Sequence, residues 1–365
     1  MKNIKVYIQY PWKFPDSSYY NYLIDSPPKG IEYLSTKKQG QVITNKKFFW
    51  FSNRLKKIIR RSLKSFNLAF PNAHLTKIKE KYDLIHCAHC LSKNKNKPWI
   101  TDIEMIGSFA ISGWNTKRGK KKIKDILMRK NCKKILPWTE SIKRDILKDY
   151  PEIENKLEVV YPAIPKIKNL KKIKNKKLKI IFVARYFDIK GGVIALEVLE
   201  KLRKKHKVEG IVVSNVPHKL KKEYSRLKIY NLIPQEKLFE LMVSSDIFLY
   251  PGSVDTFGFS LLEAMAFGLP TITINTPNTK SRKEIIENNK TGLIFDVEKE
   301  LSFNEIRINE KIVIDKLVEN CSKLIQNRKL REEMSKNCLK EIKWGRFSIR
   351  ERNKKLKKIY IEALK

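Results

Sequence analysis

The block Pro251-Gly-Ser-Val-Asp-Thr-Phe-Gly-Phe-Ser-Leu-Leu-Glu-Ala-Met-Ala-Phe-Gly-Leu-Pro270 holds the two carboxylates of this sequence best placed to do chemistry. It follows the apolar run 246–250, a predicted strand, and opens a predicted helix, which is where α/β sheets bind ligands. Asp255 lies in the loop and Glu263 just over one turn into the helix, so both can face one pocket and accept hydrogen bonds from sugar or ribose hydroxyls. Gly258, between Phe257 and Phe259, lets the backbone approach a ligand, and the first-turn amides beyond it are free to receive phosphate oxygens. The plainer reading is a surface glutamate on a helix and an aspartate ahead of its N-cap.

Two other constellations stand out. Cys87 and Cys90, with His86 and His89, form a C-x-x-C that suggests redox or metal chemistry. Residues 82–91 read as a buried strand, however, and no second ligand pair follows at zinc-site spacing, so a structural role is expected. Phe49, Trp50 and Phe51 make an aromatic knob ahead of a basic amphipathic run containing Lys56, Lys57, Arg60 and Arg61. That pattern suits an anionic membrane surface, and equally a crossover helix packing Leu55, Ile59 and Phe66 on a sheet.

Stepping these residues into place requires strands alternating with helices. Short apolar runs at 4–10, 41–44, 83–87, 99–103, 134–137 and 157–161 predict strands of an N-terminal domain, residues 1–165. A Lys-rich run, 166–179, breaks the pattern and reads as a linker. Alternation resumes through 180–340, with a helix at 280–288 among others, and the last segment, 341–365, suits a helix packing back on the N-terminal domain. At 365 residues the chain suits two domains, here an α/β fold of two doubly wound Rossmann-like halves facing each other across a cleft. No G-x-G-x-x-G and no Walker-type G-x-x-x-x-G-K-[ST] occurs, which removes the main support for dehydrogenase and P-loop readings. Five cysteines, an odd number in a large chain, argue against an extracellular disulfide framework. With no long uncharged apolar stretch and no signal-peptide pattern at Met1, a cytoplasmic protein is expected. The 78 Lys and Arg against 38 Asp and Glu give a net charge of +40, a field that attracts nucleic acid, anionic membranes or phosphorylated substrates.

The acidic block resembles the E-x7-E region of the family 4 retaining glycosyltransferases, with G-F, E-A-M-A, G and P in register and Asp255 in place of the first glutamate. The resemblance implies the GT-B fold and a nucleotide-diphosphate sugar as co-substrate, with no metal or other cofactor. It places the ribose hydroxyls on Glu263 and the donor sugar near Asp255 and the amides of Phe257, Gly258 and Phe259. Residues 182–192 are similar to the family's G-R-x(n)-K-G segment, in which Arg185 and Lys190 would clamp the donor diphosphate and stabilise the negative charge that grows as the sugar leaves. Residues 233–251 are similar to the preceding helix and strand, with a nucleobase site around Ile233 and Pro234. In the N-terminal half only the layout matches, including a strand near 135 followed by a serine-capped helix. The strand 98–104 in many relatives ends in a histidine near the reacting sugar; here the corresponding residue is Glu104, with Asp102 as the alternative. Read instead as a D-x-E metal motif, the same acids would belong to a different, single-lobed fold.

Three functions remain open on these grounds. The first is transfer of a sugar, of hexosyl or N-acetylhexosaminyl type, to a hydroxyl of a glycan or lipid-linked acceptor with retention, by an enzyme of glycan biosynthesis that is cytoplasmic or peripheral on the inner membrane face. The second is a catalytically silent scaffold of the same fold. The third is nucleic-acid binding driven by charge.

Overall fold

Runs of apolar residues without polar alternation make strands buried on both faces, as a parallel sheet covered by helices demands. Leu84–Ala88 and Trp99–Ile103 are buried at every position. In the computed structural model, which describes residues 3–10, 18–34, 68–76, 78–167, 176–297 and 306–365, they lie in the first of two large parallel sheets. Its strands are Ile4–Gln9 (β1), Ile31–Leu34 (β2), Leu84–Ala88 (β3), Trp99–Ile103 (β4) and Cys132–Pro137 (β5). Their order is β2-β1-β3-β4-β5, and every pair is parallel. This sheet belongs to a unit comprising residues 1–163 and 349–365; residues 164–348 form the other unit.

The second sheet is built from Leu178–Val183 (β6), Val208–Val213 (β7), Lys228–Tyr230 (β8), Ile247–Tyr250 (β9), Thr271–Asn275 (β10) and Gly292–Asp296 (β11). The order β8-β7-β6-β9-β10-β11 is again wholly parallel. The chain winds outward from β6 to one edge, then returns to β9 and winds to the other. β6 and β9 are therefore neighbours that leave the sheet in opposite directions, and the crevice at their carboxyl ends is the topological switch point. Ile180 and Phe182 of β6, Val212 of β7, Ile272 of β10, and Leu199 and Leu317 from helices Gly192–Lys205 and Ile306–Gln326 share one apolar core.

Several local expectations shift. Residues 157–161 make one bridge, Leu157 to Ile135, and two hydrogen bonds to β5, from Glu158 to Ile135 and Val160 to Pro137. Pro137 has no N–H to return, so the ladder stops. The helix expected at 280–288 is a 3-10 turn, Pro277–Thr279, and a short helix, Arg282–Ile285, because a reciprocal Thr276–Thr279 cap fixes the chain early. The helix after β5 is capped by Thr139, whose hydroxyl accepts from the Ile142 amide at 3.2 Å; Ser141 lies inside it, buried. The strand expected at 41–44, and all the aromatic and basic membrane candidates from Phe49 to Arg61, lie outside the described residues.

The final segment divides. Helix Arg328–Trp344 stays with the second unit, while helix Ile349–Ala363 belongs to the first. Arg352 and Asn353 donate to the Ser26 carbonyl at 2.8 and 3.0 Å, and Tyr360 reaches His86 at 2.8 Å.

Candidate active site

At the switch point two loops meet backbone to backbone. The turn after β6 carries Lys190 and ends in Gly191, which has a φ of +72° and forms the N-cap of helix Gly192–Lys205. The loop after β9 begins Pro251–Gly252. A Cβ on Gly191 would stand 3.1 Å from the Pro251 carbonyl, and one on Gly252 would stand 2.9 Å from the Lys190 Cα. Only glycine at both positions allows this approach.

The approach brings together residues far apart in sequence. The Lys190 ammonium is 2.9 Å from Asp255 Oδ1 and 3.0 Å from the Val254 carbonyl. The Tyr250 hydroxyl donates to Asp255 Oδ2 at 2.8 Å, and the Arg282 guanidinium lies 3.5 Å from the same oxygen. Arg185 is half-buried, close enough for its charge to act on Glu263. Burial pushes the Glu263 carboxyl up to about 7 and Arg185 opposes the shift. Gly258 (φ +99°) caps helix Phe259–Ala266. The Phe257 side chain is buried, its ring 5.2 Å from that of Phe259, so only its backbone could meet a ligand. Ile233 is half-buried and Pro234 exposed, just beyond the carboxyl end of β8, an outer strand of the sheet.

Glu263 carries a pH signature. The folded chain holds a proton on it that the unfolded chain has lost between pH 4.5 and about 7. Stability therefore falls as pH rises across that window, and above it the penalty is constant. Glu263→Gln is expected to exceed the wild type at pH 8 by roughly 2 kcal/mol, allowing for solvent at a partly exposed group, and to match it at pH 4.5. Urea unfolding at the two pH values checks this, and equal differences at both would refute it.

In the first unit, the two strand-end acids differ in burial. Asp102 is fully buried and cannot orient a sugar; it is a hub. Its Oδ1 accepts from Tyr20 at 2.5 Å and from the His89 amide at 3.2 Å, and His86 Nε2 is 3.3 Å from Oδ2. Burial would raise its carboxyl, but His86, His89 and Tyr20 hold it below the usual range. Glu104 is about one-quarter exposed, with His89 Nε2 at 3.9 Å. His89, grouped in the sequence with the cysteines beside it, belongs instead to the Asp102 cluster. Its backbone has φ +53°, rare outside glycine, and its ring packs on Trp138 and Tyr20. The signal was the register that sets Ala88 beside Asp102, which follows from pairing the two buried strands. Cys87 and Cys90 are free, buried thiols, and Cys90 donates to the Gln9 carbonyl. Among the described residues, no group of three or more His, Cys, Asp or Glu could hold a metal ion.

Residues 163–341, which contain the whole switch-point site, match the family described as glycosyl transferases group 1. The match covers nearly all of the second unit and just under half of the chain. Over its full length the chain is similar to a glycosyltransferase from Rickettsia africae ESF-5, at 17% identity and a TM-score of 0.60, covering 100% of this chain and 99% of that one. It is also similar to HepE of Anabaena, solved with UDP-glucose, at 12% identity and a TM-score of 0.59, covering 98% and 99%. At such identities the likeness shows the fold, which is GT-B. An uncharacterized 41.2 kDa protein in the cps region of Klebsiella pneumoniae is 26% identical over 242 residues, 60% of this chain; the match spans 59% of that relative's length. No helix among the described residues is long and apolar enough to cross a membrane.

Proposed function

We propose that this glycosyltransferase is a retaining enzyme of the family 4 type, moving a hexosyl or N-acetylhexosaminyl group from a nucleoside-diphosphate donor to a hydroxyl of a glycan or lipid-linked acceptor. The observation that carries this is the gathering of Arg185, Lys190, Asp255 and Glu263 around two abutting loops at one switch point. Glu263 accepts the ribose hydroxyls, which favours its ionised form. Arg185 and Lys190 hold the diphosphate. The bond from the sugar's anomeric carbon to the phosphate oxygen breaks, and its electrons stay on the nucleoside diphosphate, where the two cations stabilise them without a metal. The acceptor oxygen bonds the anomeric carbon on the same face and passes its proton to the leaving phosphate. Asp255, with the backbone around Gly258, orients the donor sugar. The acceptor falls to the first unit, where Glu104, about one-quarter exposed, is the more accessible of the two strand-end acids. We place the enzyme in the cytoplasm, on the inner membrane face through residues 49–61.

Thermal-shift titration with UDP, GDP, ADP and dTDP, followed by a transfer assay in EDTA, tests the reading. Because HepE is solved with UDP-glucose, uridine donors come first. One base class is expected to raise the melting temperature, and Glu263→Ala to weaken that nucleotide at least tenfold. Failure of all four nucleotides would defeat the proposal, and binding without transfer to any acceptor would mark a silent scaffold.

A further inference from the structure

Arg282 is the least expected charge in the molecule. It is 1% exposed, in a short helix beyond β10, and its position in the sequence distinguishes it from none of the other basic residues. Its Nη1 donates to the Gly252 carbonyl at 2.6 Å, the Ile274 carbonyl at 2.8 Å and the Thr273 hydroxyl at 3.2 Å. The guanidinium lies over the Tyr250 ring, 5.0 Å from its centroid, and Nη2 is 3.5 Å from Asp255. Nε and Nη2 make no hydrogen bond among the described residues. A buried, incompletely satisfied cation is poor value as a stabilising device, since apolar side chains of similar volume often do as well or better.

Its contacts share one target. Gly252 is the residue whose backbone abuts Lys190, and Asp255 is the carboxylate that holds the Lys190 ammonium. Tyr250, under the guanidinium, donates to that same carboxylate, and Lys190 lies 5.9 Å from its ring. Arg282 thus grips Lys190 twice over, through the backbone it packs on and through its counter-ion. Charge gives the arrangement its sense. Lys190 and Asp255 alone sum to zero, which would cancel the cation just where a diphosphate needs it. Adding Arg282 makes the cluster +1, and burial leaves that charge poorly screened by water.

We propose that Arg282 is a positioning residue of the donor site, which pins Asp255 and the Gly252 backbone so that Lys190 is presented to the donor diphosphate with a net positive charge behind it. This rests on the glycosyltransferase reading above. It also explains how an aspartate, a methylene shorter than glutamate, is held at residue 255: a cation comes up from the floor of the site to meet it.

The test is steady-state transfer and nucleoside-diphosphate titration on the full chain, comparing wild type, Arg282→Lys, Arg282→Met and Tyr250→Phe. Tyr250→Phe keeps the ring under the guanidinium and removes the hydroxyl's bond to Asp255 together with its contact to Ser260, so it tests the same positioning even if an Arg282 variant does not fold. Expected results are a tenfold or greater rise in donor KM and in nucleotide Kd for Arg282→Met, a three- to tenfold rise for Tyr250→Phe, and partial recovery in Arg282→Lys. In Arg282→Met, Asp255→Asn should restore part of the lost affinity by removing the carboxylate that cancels the Lys190 charge. A purely structural Arg282 would lower the melting temperature and leave donor KM and Kd of the folded variants unchanged, as would wild-type donor affinity in Tyr250→Phe; either result overturns the proposal. If the wild type itself binds no nucleotide, the glycosyltransferase reading has failed first.

Discussion

Arg185→Ala is expected to lower kcat/KM for sugar transfer about 100- to 1,000-fold, the range seen when one preorganised charge-stabilising group is removed from a transition state. Arg185 outranks Lys190 here because Lys190 already shares its charge with Asp255 at 2.9 Å. The effect should fall mainly on kcat, because the diphosphate carries more charge as the bond to the sugar breaks than it does in the bound donor. Nucleotide affinity should drop as well, by about tenfold, since the ground-state diphosphate meets the same guanidinium. The Glu263 carboxyl provides an internal control. Arg185 is the charge that opposes its upward shift, so in Arg185→Ala the Glu263 titration should move to still higher pH, and with it the lower edge of nucleotide binding. A transfer rate within threefold of wild type, with the melting curve unchanged, would remove Arg185 from the site.

Much of this site could be read along the sequence, and the portion that could not has one physical cause. β9 was legible because a buried parallel strand is a continuous apolar run ended by turn residues, and Gly258 and Glu263 follow it at fixed local spacing. The turn carrying Arg185 and Lys190 was legible for the same reason after β6. What periodicity does not encode is which strand lies beside which. The partners of Asp255 are Tyr250, five residues back, but also Lys190 and Arg282, which reach it only because β9 sits between β6 and β10. In the first unit, His86 and His89 were visible as a pair but were read with the cysteines beside them, because their real partner, Asp102, stands on the adjacent strand and Tyr360 arrives from a helix near the chain's end. The basic charge, so prominent in composition, was a weak guide to the site. The cation packed beneath Asp255 is a buried one, invisible in a sum over 78 Lys and Arg.

Gly252→Ala should be the most damaging single-methyl change at the site, costing about a hundredfold in turnover. The added Cβ would lie 2.9 Å from the Lys190 Cα and 3.1 Å from both its carbonyl carbon and oxygen. Every atom it meets is backbone, so no side chain can swing aside, and one of the two loops must move by several tenths of an ångström. Movement of the β6 turn carries Lys190 away from Asp255. Movement of the other loop pulls the Gly252 carbonyl off Arg282, where it now accepts at 2.6 Å. Either displacement degrades the arrangement of cations that the leaving diphosphate requires, and shifts approaching 1 Å cost on the order of a hundredfold in rate. The stability loss should be modest, about 1 to 3 kcal/mol, as for other overpacked sites. Gly30→Ala is the comparison: it also has a positive φ, +85°, but nothing lies within 4 Å of its Cβ, and it sits in the first unit far along the chain from these loops. It should lose stability through backbone strain alone, while donor KM and Kd stay at wild-type values. If Gly252→Ala instead behaves like Gly30→Ala, losing stability but transferring sugar at the wild-type rate once folded, then the close approach of the two loops is packing only, and Lys190 is not positioned by it.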